Sequence, residues 1–150
     1  MRKSHVEHFD ILEKKFATDL RKGLTSWSRF VEITERRNLF VHCDGVVSSQ
    51  YIKVCSENGV DVTNIQVGDK LDVDPEYVRE AFHVITEIAV KLTHVLWRKV
   101  LPAEREKADT AIINLSFEML QEEEYELAAN ILDLFVNTVK KFHDLSLIHI

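Results

Sequence analysis

The stretch Glu35-Arg36-Arg37-Asn38-Leu39-Phe40-Val41-His42 gathers the residue types that chemistry at a phosphate needs. An imidazole titrates near neutrality and can move a proton. A guanidinium can hold the extra negative charge of a phosphate transition state with two parallel hydrogen bonds. An amide can orient either group. His42, Arg37 and Asn38 together suit metal-free cleavage of RNA. The imidazole takes the proton of a ribose 2′-hydroxyl, the oxygen attacks the adjacent phosphorus, and the guanidinium holds the developing charge. Dependence on the 2′-hydroxyl makes such chemistry specific to RNA.

Helical geometry decides which of these groups can meet. At about 100° per residue, Asn38 and His42 lie one turn apart and nearly in line, and Glu35 lies two turns below His42 close to that line. Arg37 stands about 140° around the helix from His42, and Arg36 lies on the opposite flank. A ribonuclease site would also draw Arg36, and Arg29 or Lys53, towards Arg37. Spacing alone leaves a second expectation open, a solvated and salt-bridged helix face. No nucleophilic Ser or Cys at a strand–helix elbow competes, and no Gly-rich phosphate loop is present.

The rest of the chain must position that helix. Its 150 residues suit one domain or slightly more, and 45% hydrophobic with 29% charged residues is the balance of a soluble globular chain. Only 4 Gly and 2 Pro favour long helices over a turn-rich β fold. Cys43 and Cys55 have no CxxC or metal spacing and are expected as reduced thiols of a cytoplasmic protein. No apolar run approaches a membrane span, and the N-terminus lacks an apolar signal core. A net charge of -6 argues against broad, charge-driven nucleic-acid binding but leaves room for a local basic site.

Apolar periodicity predicts the elements. Val6, Phe9, Leu12, Phe16 and Leu20 mark a helix over Lys3 to Lys22, stopped by Gly23. His5 and His8 within it have the spacing of a metal pair but no carboxylate partner, and are expected at a solvated end. Thr25 and Ser26 can cap a second helix running to Cys43, closed by Asp44-Gly45. A third spans Ser49 to Glu57, with Tyr51, Ile52 and Cys55 inward, and Asn58-Gly59 ends it. Residues 60–72 alternate loosely, which suits a short β-hairpin or an ordered loop. Asp74-Pro75-Glu76 opens a long helix. Its stripe from Val78 through Phe82, Ile85 and Ile88 to Val100 marks it as the central core helix, closed by Pro102. His83 and His94 beside the stripe are expected to be structural or solvated. An antiparallel hairpin of two helices, about 103–120 and 124–142, follows.

The chain is thus expected to be all-α. The hairpin at 103–142 resembles a tetratricopeptide repeat, with Ile112, Leu115, Ser116, Met119, Tyr125, Ala128, Leu132 and Phe135 at the pattern positions. The tail, Leu145-Ser146-Leu147-Ile148-His149-Ile150, looks like the translation of a sequencing adaptor, so the natural chain is expected to run on past Asp144.

Arg37-Asn38-Leu39-Phe40-Val41-His42 resembles the Arg-x4-His motif of the HEPN superfamily, including the polar residue that follows its Arg. The Glu-Arg-Arg-Asn entry, Asp44-Gly45 and Tyr51 fit the same resemblance, which covers about residues 1–101. It implies an α-helical bundle that dimerises, so that the motifs of two protomers form one cleft. It also implies a metal-independent endoribonuclease of toxin–antitoxin or phage-defence type, without a cofactor, with Arg37 and His42 as the catalytic pair and Asn38 supporting them. RNA, a second copy and an antitoxin-like protein are the implied partners, and no membrane. Other HEPN domains bind RNA or protein without cleaving. That is the alternative: a binding or dimerisation module joined to a tetratricopeptide-like interaction region.

Overall fold

A computed structural model describes residues 4–21, 24–133 and 136. Their regular secondary structure is helical, with no strand among them. The chain divides into two compact units, Met1–Ile88 and Ala89–Ile150, and one long helix contributes its first half to one unit and its second half to the other.

In the first unit, α1 (His5–Phe16) starts at a capping box. The Glu7 amide donates to Ser4 Oγ at 3.2 Å, and the Ser4 amide donates to Glu7 Oε2 at 2.6 Å. The helix buries Phe9 edge-on against Trp27 and Phe30, at ring-centroid distances of 4.8 and 5.8 Å. It is shorter than its apolar spacing predicts. Ala17 takes the left-handed conformation (φ 47°) and closes the helix, while Leu20 is still buried beyond it. A return contact competes with continuation: Arg21 folds back so that its amide donates to Glu13 Oε1 at 2.9 Å and its guanidinium reaches Glu13 and Asp10. These donors hold the Glu13 carboxyl below the usual carboxylate range. Gly23, the expected stop, lies outside the described residues.

The second helix, α2 (Trp27–Cys43), ends at Asp44-Gly45, both at positive φ. Ser26 precedes it, yet its hydroxyl does not cap it. With ψ near 4° the residue is not in the extended geometry a capping oxygen needs, and Ser26 Oγ instead donates to buried Glu87 at 3.1 Å. The third helix, α3 (Ser49–Glu57), is capped by Ser48, whose Oγ accepts from the Tyr51 amide at 3.2 Å.

Residues 60–72 form an ordered loop rather than a hairpin. The segment makes one isolated antiparallel bridge, Val46 with Lys70. Asp61 accepts from the amide and hydroxyl of Thr63, and Asp69 accepts from the Gln66 amide, so local bonds replace a ladder. The alternation serves one core: Val60, Val62, Ile65 and Leu71 pack on buried Leu39, Val47, Tyr51 and Cys55. That core fixes the end of α2.

The long helix α4 (Pro75–Val100) starts as expected, with Asp74 Oδ1 accepting from the Tyr77 amide at 2.7 Å. Its expected role as the central core helix does not hold over its first half. Val78, Phe82 and Ile85 are exposed at 45% or more, while Val84, Glu87 and Ile88 are buried. The inward face is the one that carries Glu87 to Ser26 and Tyr77 to α2, so the opposite, apolar side turns out.

In the second unit, the chain leaves α4 through a 3₁₀ turn at Pro102–Glu104 and enters α5 (Arg105–Gln121). A turn at 122–124, with Glu123 at φ 63°, leads into helix over 125–133. Ile112, Leu127 and Ile131 form the core with Val90, Leu115 and Met119. Ala108, Ser116 and Ala128 are at most 1% exposed, the small residues that let helices approach closely. His94 is buried with Nδ1 unpartnered, and burial lowers its pKa. The Leu145–Ile150 tail and residues 134, 135 and 137–142 of the expected last helix lie outside the described residues.

Candidate functional site

The buried face of α2 carries Phe30, Val31, Ile33 and Leu39, and it also carries two carboxylates, Glu32 and Glu35. They have opposite fates. Glu32 is met by four donors: Arg29 Nη1 at 2.7 Å, Arg36 Nε at 2.6 Å, Tyr51 Oη at 2.9 Å and Tyr77 Oη at 2.9 Å. Burial and the Glu32 charge push both phenols well above their ordinary pKa, so they stay protonated and donate. The two guanidiniums also lie over the Tyr77 ring, 4.8 and 4.4 Å from its centroid. Arg29 Nε continues to Glu80 at 2.6 Å, and Arg36 Nη1 donates to the Asp72 carbonyl at 3.0 Å. This network ties α2 to α3 and to the start of α4.

It also decides which arginine remains for chemistry. A cleft of 410 Å³ opens along the other flank of α2, lined by Glu35, Arg37, Asn38, Leu39, His42 and Cys43. The first turn of α1 contributes Ser4, His5 and Glu7, and the start of α3 contributes Ser48 and Gln50. Arg37, Asn38 and His42 therefore share one cleft. Arg36 and Arg29 do not join them, contrary to expectation, because Glu32 holds both. Lys53 is exposed on α3 and is not part of the lining. Among the described residues, Arg37 is the one Lys or Arg of the cleft wall.

The arrangement along the wall follows the helical spacing. Arg37 is exposed and its Nη1 donates to Asn38 Oδ1 at 3.4 Å. His42 is exposed on the last turn of α2. Glu35, only 7% exposed, sits at the bottom of the row. Burial raises its pKa, and the neighbouring Asn38 side chain pulls the other way. Phe40 and Val41, 40% and 54% exposed, stand beside the row on the solvent side of the same helix.

His5, expected at a solvated end, is exposed at the start of α1 and also lines the cleft, a role its spacing did not indicate. The signal was present in Ser4-x-x-Glu7, a capping box that starts a helix and holds its first turn in place. Its ring stands 6.1 Å from those of His8 and Phe30. No group of three or more His, Cys, Asp or Glu among the described residues is placed to hold a metal ion. No described helix is long and apolar enough to cross a membrane.

Comparison with known proteins finds no matching family model, no matching curated protein and no matching solved structure.

Proposed function

We propose that this cleft is the active site of a metal-independent endoribonuclease of the HEPN type, acting as a toxin or in phage defence in the cytoplasm. One observation carries it: Arg37, Asn38 and His42 line the same cleft of a helical unit. His42 takes the 2′-hydroxyl proton, the oxygen bonds to phosphorus, and the 5′-oxygen leaves with a proton, giving a cyclic phosphate end. Arg37 stabilises the charge on the non-bridging oxygens, and Asn38 steadies its guanidinium. A single cationic side chain suits one scissile phosphate rather than a long electrostatic track.

The site works best as a shared one. Arg37 and His42 point in different directions from one helix, with exposed Phe40 and Val41 between and beside them. Apposing two copies through that apolar face buries it and supplies a second His42, which can protonate the leaving oxygen. An antitoxin-like protein partner would act by covering the same cleft.

The test is cleavage of RNA in EDTA, with His42→Ala and Arg37→Ala each lowering the rate by about 10²–10⁴-fold. Equal rates in wild type and both variants overturn the proposal. A second reading rests on α5, where Ile113, Phe117 and Leu120 are exposed at 41% or more along one face. Repeat-type hairpins leave such a face for a neighbour, so a non-catalytic binding module with a tetratricopeptide-like interaction region is the alternative. Sedimentation that shows a monomer, together with RNA binding without cleavage, would favour it.

A further inference from the structure

Within the proposed ribonuclease site, on which this inference rests, we propose that His5 is a base-binding residue: its imidazole stacks on the nucleobase beside the scissile phosphate, at the α1 end of the cleft. The composition of the wall calls for such a contact. It carries one guanidinium, Arg37, against two carboxyl groups, those of Glu7 and Glu35. In a chain of net charge -6, attraction for phosphates does not by itself hold a strand there. Stacking of a base on a flat side chain, histidine included, is the other main source of affinity for an unpaired strand. The cleft wall holds two rings, those of His5 and His42, and the proposed chemistry commits His42 to moving a proton.

Distance separates the roles of the two rings. The His5 ring is held 6.1 Å from that of Phe30, which lies in the first turn of α2. From Phe30 to His42 that helix rises about 18 Å. Even in the most favourable direction, the two imidazoles are therefore about 12 Å apart. A general acid and a general base for one phosphate must each come within about 3 Å of an oxygen on the same phosphorus. His5 is too far along the cleft to share that phosphorus with His42, and stands where a neighbouring nucleotide lies. It is also prepared for a flat partner. The capping box of Ser4 and Glu7 fixes its backbone. Its ring meets those of Phe30 and His8 at 75° and 84°, which sets its plane. It forms the exposed end of an aromatic cluster whose inner members, Phe9 and Phe30, are buried. A ring oriented before the base arrives loses little freedom when it stacks.

The experiment measures binding and cleavage separately. Binding is read by fluorescence anisotropy on a short, single-stranded oligoribonucleotide of mixed sequence, made uncleavable by 2′-O-methyl groups. His5→Ala should weaken binding by about 5–150-fold, the range for loss of one base–aromatic stack. It should raise KM for cleavage to a similar extent, with kcat and its pH profile nearly unchanged. His5→Phe keeps a flat ring but cannot carry a proton, and is expected to restore Kd and KM to within about 3-fold of wild type. His5→Leu fills the space beside Phe30 without offering a π-face, and should stay as weak as His5→Ala. Wild-type affinity in His5→Ala, or equal affinity in His5→Leu and His5→Phe, overturns the proposal. So does a fall in kcat in His5→Phe with loss of one limb of the pH profile, which would make His5 a proton donor or acceptor. Cleavage that needs His42 and Arg37 while His5→Ala binds as wild type does rejects the base subsite and keeps the ribonuclease. Binding that depends on His5 in a protein whose wild type does not cleave RNA keeps the subsite and rejects the ribonuclease reading instead.

Discussion

Replacing Glu32 by alanine should be the most damaging single change to the first unit, and the structure gives its size. The side chain is 4% exposed and joins three helices through four hydrogen bonds of 2.6–2.9 Å. Its removal leaves the Tyr51 hydroxyl buried without its acceptor, a loss of about 1–3 kcal/mol. It also leaves Arg36, 17% exposed, with the Asp72 carbonyl and the Tyr77 ring but no counter-charge. Removing one partner of a buried pair costs about 3–5 kcal/mol. Arg29 is cushioned, because Glu80 remains. The effects overlap, so the expected total is about 3–5 kcal/mol, a large share of the ~5–15 kcal/mol that holds a domain together. Urea unfolding followed by circular dichroism measures it. Glu80→Ala is the control: Glu80 is about half exposed, and the change should cost at most about 1 kcal/mol. If Glu32→Ala unfolds at the same urea concentration as Glu80→Ala, the network does not hold α2 in place, and Arg29 and Arg36 are not withheld from the cleft.

Two further expectations concern stability. Gly45→Ala places a Cβ 3.1 Å from the Phe40 ring and 3.2 Å from the Leu71 carbonyl oxygen at φ +76°. It should lower stability by about 1–3 kcal/mol, and an unchanged thermal midpoint would contradict that. His94 gives a pH dependence. Burial, then the Arg98 charge, holds its pKa below the ordinary 6.5, so the unfolded chain binds the proton first as pH falls. The stability of the neutral folded form is therefore present above about pH 6.5 and lost progressively below it. His94→Phe should flatten the change in urea midpoint between pH 7.5 and 5.5, and an identical slope in both proteins would refute the assignment.

What could be read from residue order was whatever depends on near neighbours. Asp74-Pro75 and Asp44-Gly45 carry their own geometry, and both mark helix ends in the structure. Asn38 and His42 share a cleft because four residues of helix put them there. The fate of Arg36 was not legible. It depends on Glu32 being met by Tyr77, 45 residues away, and no local pattern encodes that meeting. Periodicity likewise revealed an apolar stripe on α4 but not which side the rest of the unit would cover. Residues 60–72 alternate as a strand does, yet a hairpin needs a matching partner, and Asp61 and Asp69 satisfied the backbone locally first.

The tight packing at Gly45 reaches beyond stability. The glycine brings the end of α2 against the loop, with its carbonyl accepting from the Leu71 amide at 3.0 Å. His42 is therefore held from beyond the helix as well as from within it. A six-residue Arg-x4-His pattern arises by chance in many helices. The longer pattern Glu-x-Arg-Asn-x3-His-x2-Gly adds the buried acid, the amide and the turn, and at the turn a side chain would meet the Phe40 ring and the Leu71 carbonyl. Distant relatives that share the cleft should be found by that spacing even when the rest of the chain has drifted past recognition.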